Sequence, residues 1–262
     1  APLRPMPKLI ARGVRTAVIQ FPGSNADWDA LHVARDVLGG DAYYAFHKAT
    51  EINGGGAIPD LVVIPGGFSY GDYLRPGAIA RFSPVVPALV DYAKKGGLVL
   101  GICNGFQVLT ELALLPGALT RNAHLRFECR DVFVRAEGRG AFTEGVDEGT
   151  VLRLPVAHAD GRYQCDDETL RRLDGEGRVA FRYCDGEGQL STPSHPDAPS
   201  DALANPNGSV ANIAGIYDAT GRILGLMPHP DRARAPELGG RSGTHDGKHL
   251  FNAALRTLEQ TP

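Results

Sequence analysis

Strong charge of either sign is missing from this 262-residue chain, whose formal net charge is −3 and whose pI lies near 6.3. The basic stripe that would announce nucleic acid or an anionic membrane surface is therefore absent. Cysteine is scarce as well. Cys103, Cys129, Cys165 and Cys184 make no C-x-x-C pair and fall far short of the density of a secreted disulfide scaffold. No apolar run reaches the length of a membrane span. The opening Ala-Pro-Leu-Arg-Pro-Met-Pro-Lys has no apolar signal core. Nothing resembles a phosphate-cradling Gly-rich loop with Lys and Ser/Thr, and no segment repeats. These absences lead to the expectation of a reduced, cytoplasmic setting, with no nucleic acid, membrane, metal or nucleotide cofactor bound by this chain.

What the sequence has in excess is turns. Gly 33 and Pro 19 make up about a fifth of it, above the usual share of roughly 12%. Hydrophobic (43%) and charged (22%) contents are those of an ordinary globular protein, and the length suits one α/β domain over 1–262. Short apolar strands near 16–20, 42–46 and 61–64 alternate with helical spacings such as Trp28, Leu31, Ala34, Val37 and Leu38, the first of them capped by Ser24 or Asn25. Further along, 85–94 and 104–115 read as helices around a strand at 98–102. This alternation predicts a three-layer, flavodoxin-like, mostly parallel sheet flanked by helices. Segments 130–135, 150–157, 179–183 and 210–217 predict a smaller antiparallel β region in the second half. Residues 222–227 return to the main sheet, and 248–258 close with an amphipathic helix. Residues 1–15, with three early prolines, are expected as a loose arm, and 185–207 as a polar surface loop.

Chemistry concentrates at Gly101-Ile-Cys103-Asn-Gly105, where an apolar strand passes into a helix. Glycines two residues to either side of a cysteine form the elbow in which bulkier neighbours would collide, holding the sulfur out as a nucleophile. A helix N-terminus also favours the thiolate. Such a thiol needs an imidazole, and the imidazole needs an orienting partner. Among His32, His47, His124, His158, His195, His229, His245 and His249, two share one triplet, His195-Pro-Asp197 and His229-Pro-Asp231. His229 follows the apolar run Ile223 to Met227, which puts it at a carboxyl-terminal strand end, where open α/β sheets bind ligands. His195 lies in the polar loop. The intervening proline keeps the backbone extended, so Asp231 can orient the imidazole. Pro65-Gly-Gly67 follows another strand, and the N–H groups of Gly67 and Asn104 are the candidate oxyanion-hole donors.

With these parts together the chain resembles the class I (triad) glutamine amidotransferases, and within them the family of glutaminase subunits of phosphoribosylformylglycinamidine synthases. The resemblance rests on Phe21-Pro-Gly-Ser-Asn25, Pro65-Gly-Gly-Phe-Ser-Tyr-Gly-Asp72, Gly101-Ile-Cys-Asn-Gly-Phe-Gln107, Leu125-Arg-Phe127, Ala157-His-Ala-Asp-Gly-Arg-Tyr163, Asn205-Pro-Asn-Gly-Ser209 and Met227-Pro-His-Pro230. It implies that Cys103 attacks the side-chain amide of L-glutamine and that His229 protonates the departing ammonia. It further implies that Gln107, His158, Gly161 and Arg162 line the substrate pocket. Ammonia would pass to a separate ATP-dependent synthetase subunit, which holds the ATP and magnesium, with a small third subunit bridging the complex. Two positions depart from the family pattern: Asp231 stands where glutamate is usual, and Ala26 where cysteine commonly follows Ser-Asn. Two other readings stand beside this one, another elbow-cysteine hydrolase or amidotransferase of the same fold and a non-catalytic regulatory subunit.

Overall fold

Apolar runs without polar alternation can satisfy themselves only in strands covered on both faces, and several such runs form the centre of the molecule. The computed structural model describes residues 13–191, 204–233 and 245–260. In chain order they form β1 (Arg15–Gln20), α1 (Asp27–His32), β2 (Asp41–Phe46), β3 (Leu61–Ile64), α2 (Val86–Lys94), β4 (Leu98–Ile102) and α3 (Asn104–Glu111). There follow β5 (Ala118–Thr120), β6 (Glu128–Ala136), β7 (Val151–His158), β8 (Arg162–Gln164), α4 (Asp167–Gly175), β9 (Val179–Cys184), β10 (Ile213–Tyr217), β11 (Ile223–Leu226) and α5 (Lys248–Gln260).

One nine-stranded sheet runs in the order β2-β1-β3-β4-β11-β10-β9-β6-β7. Its first five strands are parallel, and 2-1-3-4 followed by a fifth neighbour is the flavodoxin-like arrangement. From β10 onward every pairing is antiparallel, so the β-rich second half continues the main sheet. The only separate sheet among the described residues is the β5–β8 pair. Burial follows strand direction. Strands β3, β4 and β11 are buried throughout, whereas β7 alternates buried with half-buried residues, one face being less covered. Helices α1 and α5 both meet the turn Pro230–Arg232, and α2 and α3 both meet the turn Ala80–Phe82, giving a helical layer on each face.

Several local expectations shift. Arg15, the last residue of the expected arm, opens β1 with its N–H bonded to Asp60 (2.8 Å), and residues 1–12 of that expectation lie outside the described set. The cap of α1 is Ala26 and carries no side-chain bond; the Ser24 hydroxyl instead accepts the Phe21 N–H (3.2 Å). Trp28 faces outward beneath Arg35, because Ala26, Ala30 and Ala34 form the inward stripe and residue 28 falls on the opposite side. Helix α3 stops at Glu111, short of 115, because Ala113 takes left-handed backbone (φ 53°) and the Ala113 and Leu114 N–H groups fold back on Thr110 O (3.0 Å) and Leu109 O (3.1 Å). Of the loop expected over 185–207, residues 192–203, including His195 and Asp197, lie outside the described set. The carboxyl-terminal end of that loop is not a solvated surface, since Asn205 and Asn207 are buried and hydrogen-bonded.

The elbow is sterically tight. A β-carbon at Gly105 would run into the Ile64 carbonyl, and one at Gly101 would lie 2.8 Å from the Gly105 carbonyl oxygen. Backbone atoms cannot move aside as side-chain ends can. Gly105→Ala is therefore expected to destabilise the fold by about 1–3 kcal/mol, in the range of overpacked cores, measurable as a lowered urea midpoint at unchanged m-value.

Candidate active site

Three neighbouring strands end at one place. Strands β3, β4 and β11 are adjacent and parallel, with Gly101 paired to Gly225 and Ile102 to Leu226. Their carboxyl ends deliver the Pro65 loop, Cys103, and the segment reaching His229. The Cys103 N–H donates to Leu226 O (2.7 Å), so the pairing continues into the elbow itself. Cys103 has φ 52° and ψ −104°, outside the regions that L-residues ordinarily occupy. A conformation of this kind costs of order 1–3 kcal/mol and persists only where its surroundings impose it. The collisions that any side chain at 101 or 105 would meet show what imposes it.

The histidine and the cysteine meet over Gly66. A β-carbon there would run into His229 Cε1 (2.4 Å) and lie 3.4 Å from Cys103 Cβ, so both side chains close on the space that glycine leaves. His229 Nδ1 bonds Asp231 Oδ1 at 3.2 Å, and both residues are buried, Asp231 completely. The shorter carboxylate thus still reaches the ring. Burial alone would depress the imidazole pKa, but the Asp231 charge and hydrogen bond, together with the Cys103 thiol on its other side, raise it to about 9. His229 consequently holds its proton at neutral pH. The Cys103 thiol also donates to Ala157 O (3.7 Å) at the end of β7, and His229 N–H donates to Pro155 O (2.8 Å) on the same strand.

The Pro65 loop folds over the elbow. Gly67 (φ 150°) is packed against Ser24 and Asn25, leaving no space for a side chain. Phe68 N–H donates to Gly23 O (2.9 Å), and Ser69 N–H donates to the Asn104 side-chain oxygen (3.2 Å). As the first residue of α3, Asn104 keeps its own N–H free of an intrahelical acceptor.

The remaining expected site residues form a hydrogen-bonded wall. Gln107 accepts from Asn104 Nδ2 (2.8 Å) and donates to Asp160 O (2.7 Å), tying the elbow helix to the 158–162 segment. His158 Nδ1 bonds Asn122 Oδ1 (3.1 Å), which also accepts the Gly161 N–H (3.0 Å). Burial first, and the nearby His229 second, push His158 down to about 3, so it is neutral. Gly161 O accepts from Asn207 Nδ2 (2.9 Å), and Arg162 Nε donates to Gly208 O (3.0 Å). The polar groups of Gln107, Gly161 and Arg162 named here thus bond to protein partners. Asn122 and the Asn104 side chain are the residues that reading for chemistry passed over; Asn207 sat inside a motif without a role. Across the mouth, Asp72 is half-buried, and burial with the charge of Asp160 raises its carboxyl to about 6. Among the described residues no three His, Cys, Asp or Glu side chains come together in a way that would hold a metal ion.

Comparison with known proteins identifies the family. The sequence profile of a CobB/CobQ-like glutamine amidotransferase domain matches residues 13–254. The phosphoribosylformylglycinamidine synthase subunit PurQ of Aquifex aeolicus (strain VF5) is 46% identical over 243 residues, covering 92% of this chain and 99% of its own. Its counterpart in Synechococcus sp. (strain JA-2-3B'a(2-13)) is 50% identical over 247 residues, covering 94% and 98%. A chain in the structure of PurLQS from Thermotoga maritima superposes with a TM-score of 0.76 at 34% identity, covering 94% of this chain and 100% of that one. A further glutamine amidotransferase from Thermotoga maritima, at TM-score 0.55 and 15% identity over 95% of this chain and 100% of its own, shares the fold.

The raised imidazole pKa sets a test on stability. Between about pH 6.5, the ordinary value, and about 9 the folded state binds a proton at His229 that the unfolded state has released, so unfolding free energy falls as pH rises. The stability difference between wild type and His229→Gln should be full below pH 6.5 and shrink progressively to pH 9. Urea titrations of both proteins across that window measure it, and a flat difference would contradict the assigned charge state.

Proposed function

We propose, starting from the fact that this chain belongs to the CobB/CobQ-like glutamine amidotransferase family, that it is the glutaminase subunit of a phosphoribosylformylglycinamidine synthase. It hydrolyses L-glutamine to glutamate and ammonia and delivers the ammonia to a separate synthetase subunit for purine biosynthesis. One observation carries the chemistry: a cysteine in a strained elbow shares a contact point with a buried imidazole already paired to a carboxylate.

The steps follow from the residues. The Cys103 sulfur, ionised to the thiolate beside the protonated His229 with its own proton released to solvent, adds to the side-chain amide carbon of glutamine, and the carbonyl oxygen becomes an oxyanion. The N–H groups of Gly67 and Asn104 receive that oxyanion. When the carbon–nitrogen bond breaks, His229 gives its proton to the leaving nitrogen, and ammonia departs from a glutamyl thioester. Water then adds to the thioester carbon while His229 takes up its proton. Glutamate leaves, and the sulfur and imidazole return to their starting state. Asp231 keeps the imidazole oriented through both halves. Gln107, with His158, Gly161 and Arg162, forms the wall against which the amino-acid end of glutamine rests.

ATP and its magnesium belong to the synthetase subunit, and a small third subunit bridges the two. Support for this partnership comes from the PurLQS structure to which the chain is similar. Tyr73 and Leu74 on the Pro65 loop, and Leu125 and Phe127 beyond β5, are exposed. We assign the docking of the synthetase to these exposed apolar side chains. The setting is the reduced cytoplasm, consistent with four cysteines that are all free thiols; among the described residues no helix is long and apolar enough to cross a membrane.

Glutamate release by the full chain with its synthetase partner tests the assignment. Cys103→Ala should abolish release, and equal rates in the two proteins would end the nucleophile's role. Asp231→Asn should slow turnover, with the roughly 10⁴-fold loss of the Ser-His-Asp proteases as the upper bound. Leu74→Asp should weaken association with the synthetase in analytical ultracentrifugation while leaving Cys103 reactive.

A further inference from the structure

The loop that carries Gly67 is held in an improbable shape. Tyr70 (φ 54°), Asp72 (φ 56°) and Leu74 (φ 69°) all take left-handed backbone without being glycine. Such a run relaxes unless something outside it holds it. Its near end is fixed at Gly67 against Ser24 and Asn25. Farther along, Ser69 N–H holds to Asn104 and Arg75 to Glu111 (2.5 and 2.7 Å), and between them the Tyr70 side chain ties the strained run to the sheet.

The Tyr70 phenol reaches out of the loop and hydrogen-bonds both His47 Nδ1 (2.9 Å) and Ser83 Oγ (2.8 Å). Both partners are buried and come from different parts of the fold, the residue after β2 and the residue after the turn Ala80–Phe82. They are joined to the sheet and to each other's neighbourhood: His47 N–H donates to Gln20 O (3.0 Å), and His47 O accepts the Val85 N–H (3.2 Å). The His47 ring also meets the Tyr70 ring edge-on, with centroids 5.8 Å apart. At the loop itself, Tyr70 N–H donates to Pro22 O (2.6 Å). The phenol is thus a strut between the sheet and a strained turn three residues from Gly67.

We propose that Tyr70 is a positioning residue for glutamine hydrolysis: braced by His47 and Ser83, it holds the Pro65 loop so that the Gly67 N–H stays directed at the reacting carbonyl. The inference rests on the reading of Gly67 as an oxyanion donor. Phenylalanine at 70 would fill the same space yet leave the strut without its far attachment, and the relaxing turn would pull on the Gly67–Phe68 peptide and turn the Gly67 N–H away from its aim. Cys103 and His229 would keep their places, because the β4–β11 ladder sets their backbones and the packing at Gly66 precedes the strained run. The effect should fall on the acylation transition state and spare both substrate binding and the nucleophile.

The test compares glutamine hydrolysis with alkylation of Cys103 by iodoacetamide, a displacement at a methylene carbon that develops no oxyanion. In the full chain with its synthetase partner, Tyr70→Phe should lower kcat about tenfold or more, short of the 10²–10³ of a deleted oxyanion donor, with KM changed less than about twofold. The alkylation rate should be unchanged. His47→Phe should reproduce this pattern. His47→Asn, whose amide reaches toward the place of Nδ1, should restore kcat to within about threefold of wild type, a rescue that lost packing would not show. A Tyr70→Phe protein with wild-type kcat, beside an inactive Cys103→Ala, overturns this inference and leaves the glutaminase reading intact. Parallel losses of kcat and alkylation would also overturn it, by showing a general collapse of the site. Undiminished hydrolysis by Cys103→Ala would instead overturn the glutaminase reading itself.

Discussion

Around Cys103 there is no spare volume, and from that shortage the rest of the site follows. Glycine at 101 and 105 lets β4 and α3 approach until their backbones nearly touch, and the residue between them is forced to a positive φ. In that conformation the side chain is aimed beyond the end of β4, where Cys103 is still buried. The sulfur is presented at the sheet's carboxyl edge, against Gly66, where a third missing side chain leaves room for the imidazole. The strain is local, while the restraint comes from a fully buried strand on either side of β4. A flexible loop could not have held a cysteine this way.

Electrostatics then divides the labour between two histidines a short distance apart. His229 faces a buried carboxylate and keeps its proton; His158, equally buried but bonded to an uncharged amide, loses it. The same burial would discharge both without Asp231. The aspartate's reach matters less than its sign and seclusion, since its carboxylate sits 3.2 Å from the ring despite being one methylene shorter than glutamate.

The elbow and the His-Pro-Asp triplet were legible in the sequence because each is a local pattern with a steric or chemical reason. So was the parallel half of the sheet, whose strands are short apolar runs between turns. Other features were hidden. Asn122, Asn104 and Asn207 work by side-chain bonds to distant backbone, and such bonds leave no periodicity to read. The antiparallel strands were visible one by one, but their continuation of the main sheet depends on β10 pairing beside β11, which no local pattern encodes. Trp28 misled because a large apolar residue at helical spacing reads as core, whereas small alanines let α1 lie close to the sheet and left the indole outside.

Consecutive rungs from Ile223 against Val99 to Leu226 against Ile102 lock β11 beside β4. The separation of thiol and imidazole is therefore fixed by strand pairing, however much chain intervenes between them. The chain between them returns to the site as well, since Asn207 and Gly208 bond Gly161 and Arg162 of the wall. A slip of a single rung would turn every side chain of β11 to the opposite face and carry His229 away with them. An insertion within the β4–β11 ladder would therefore undo the site even where the fold survived it.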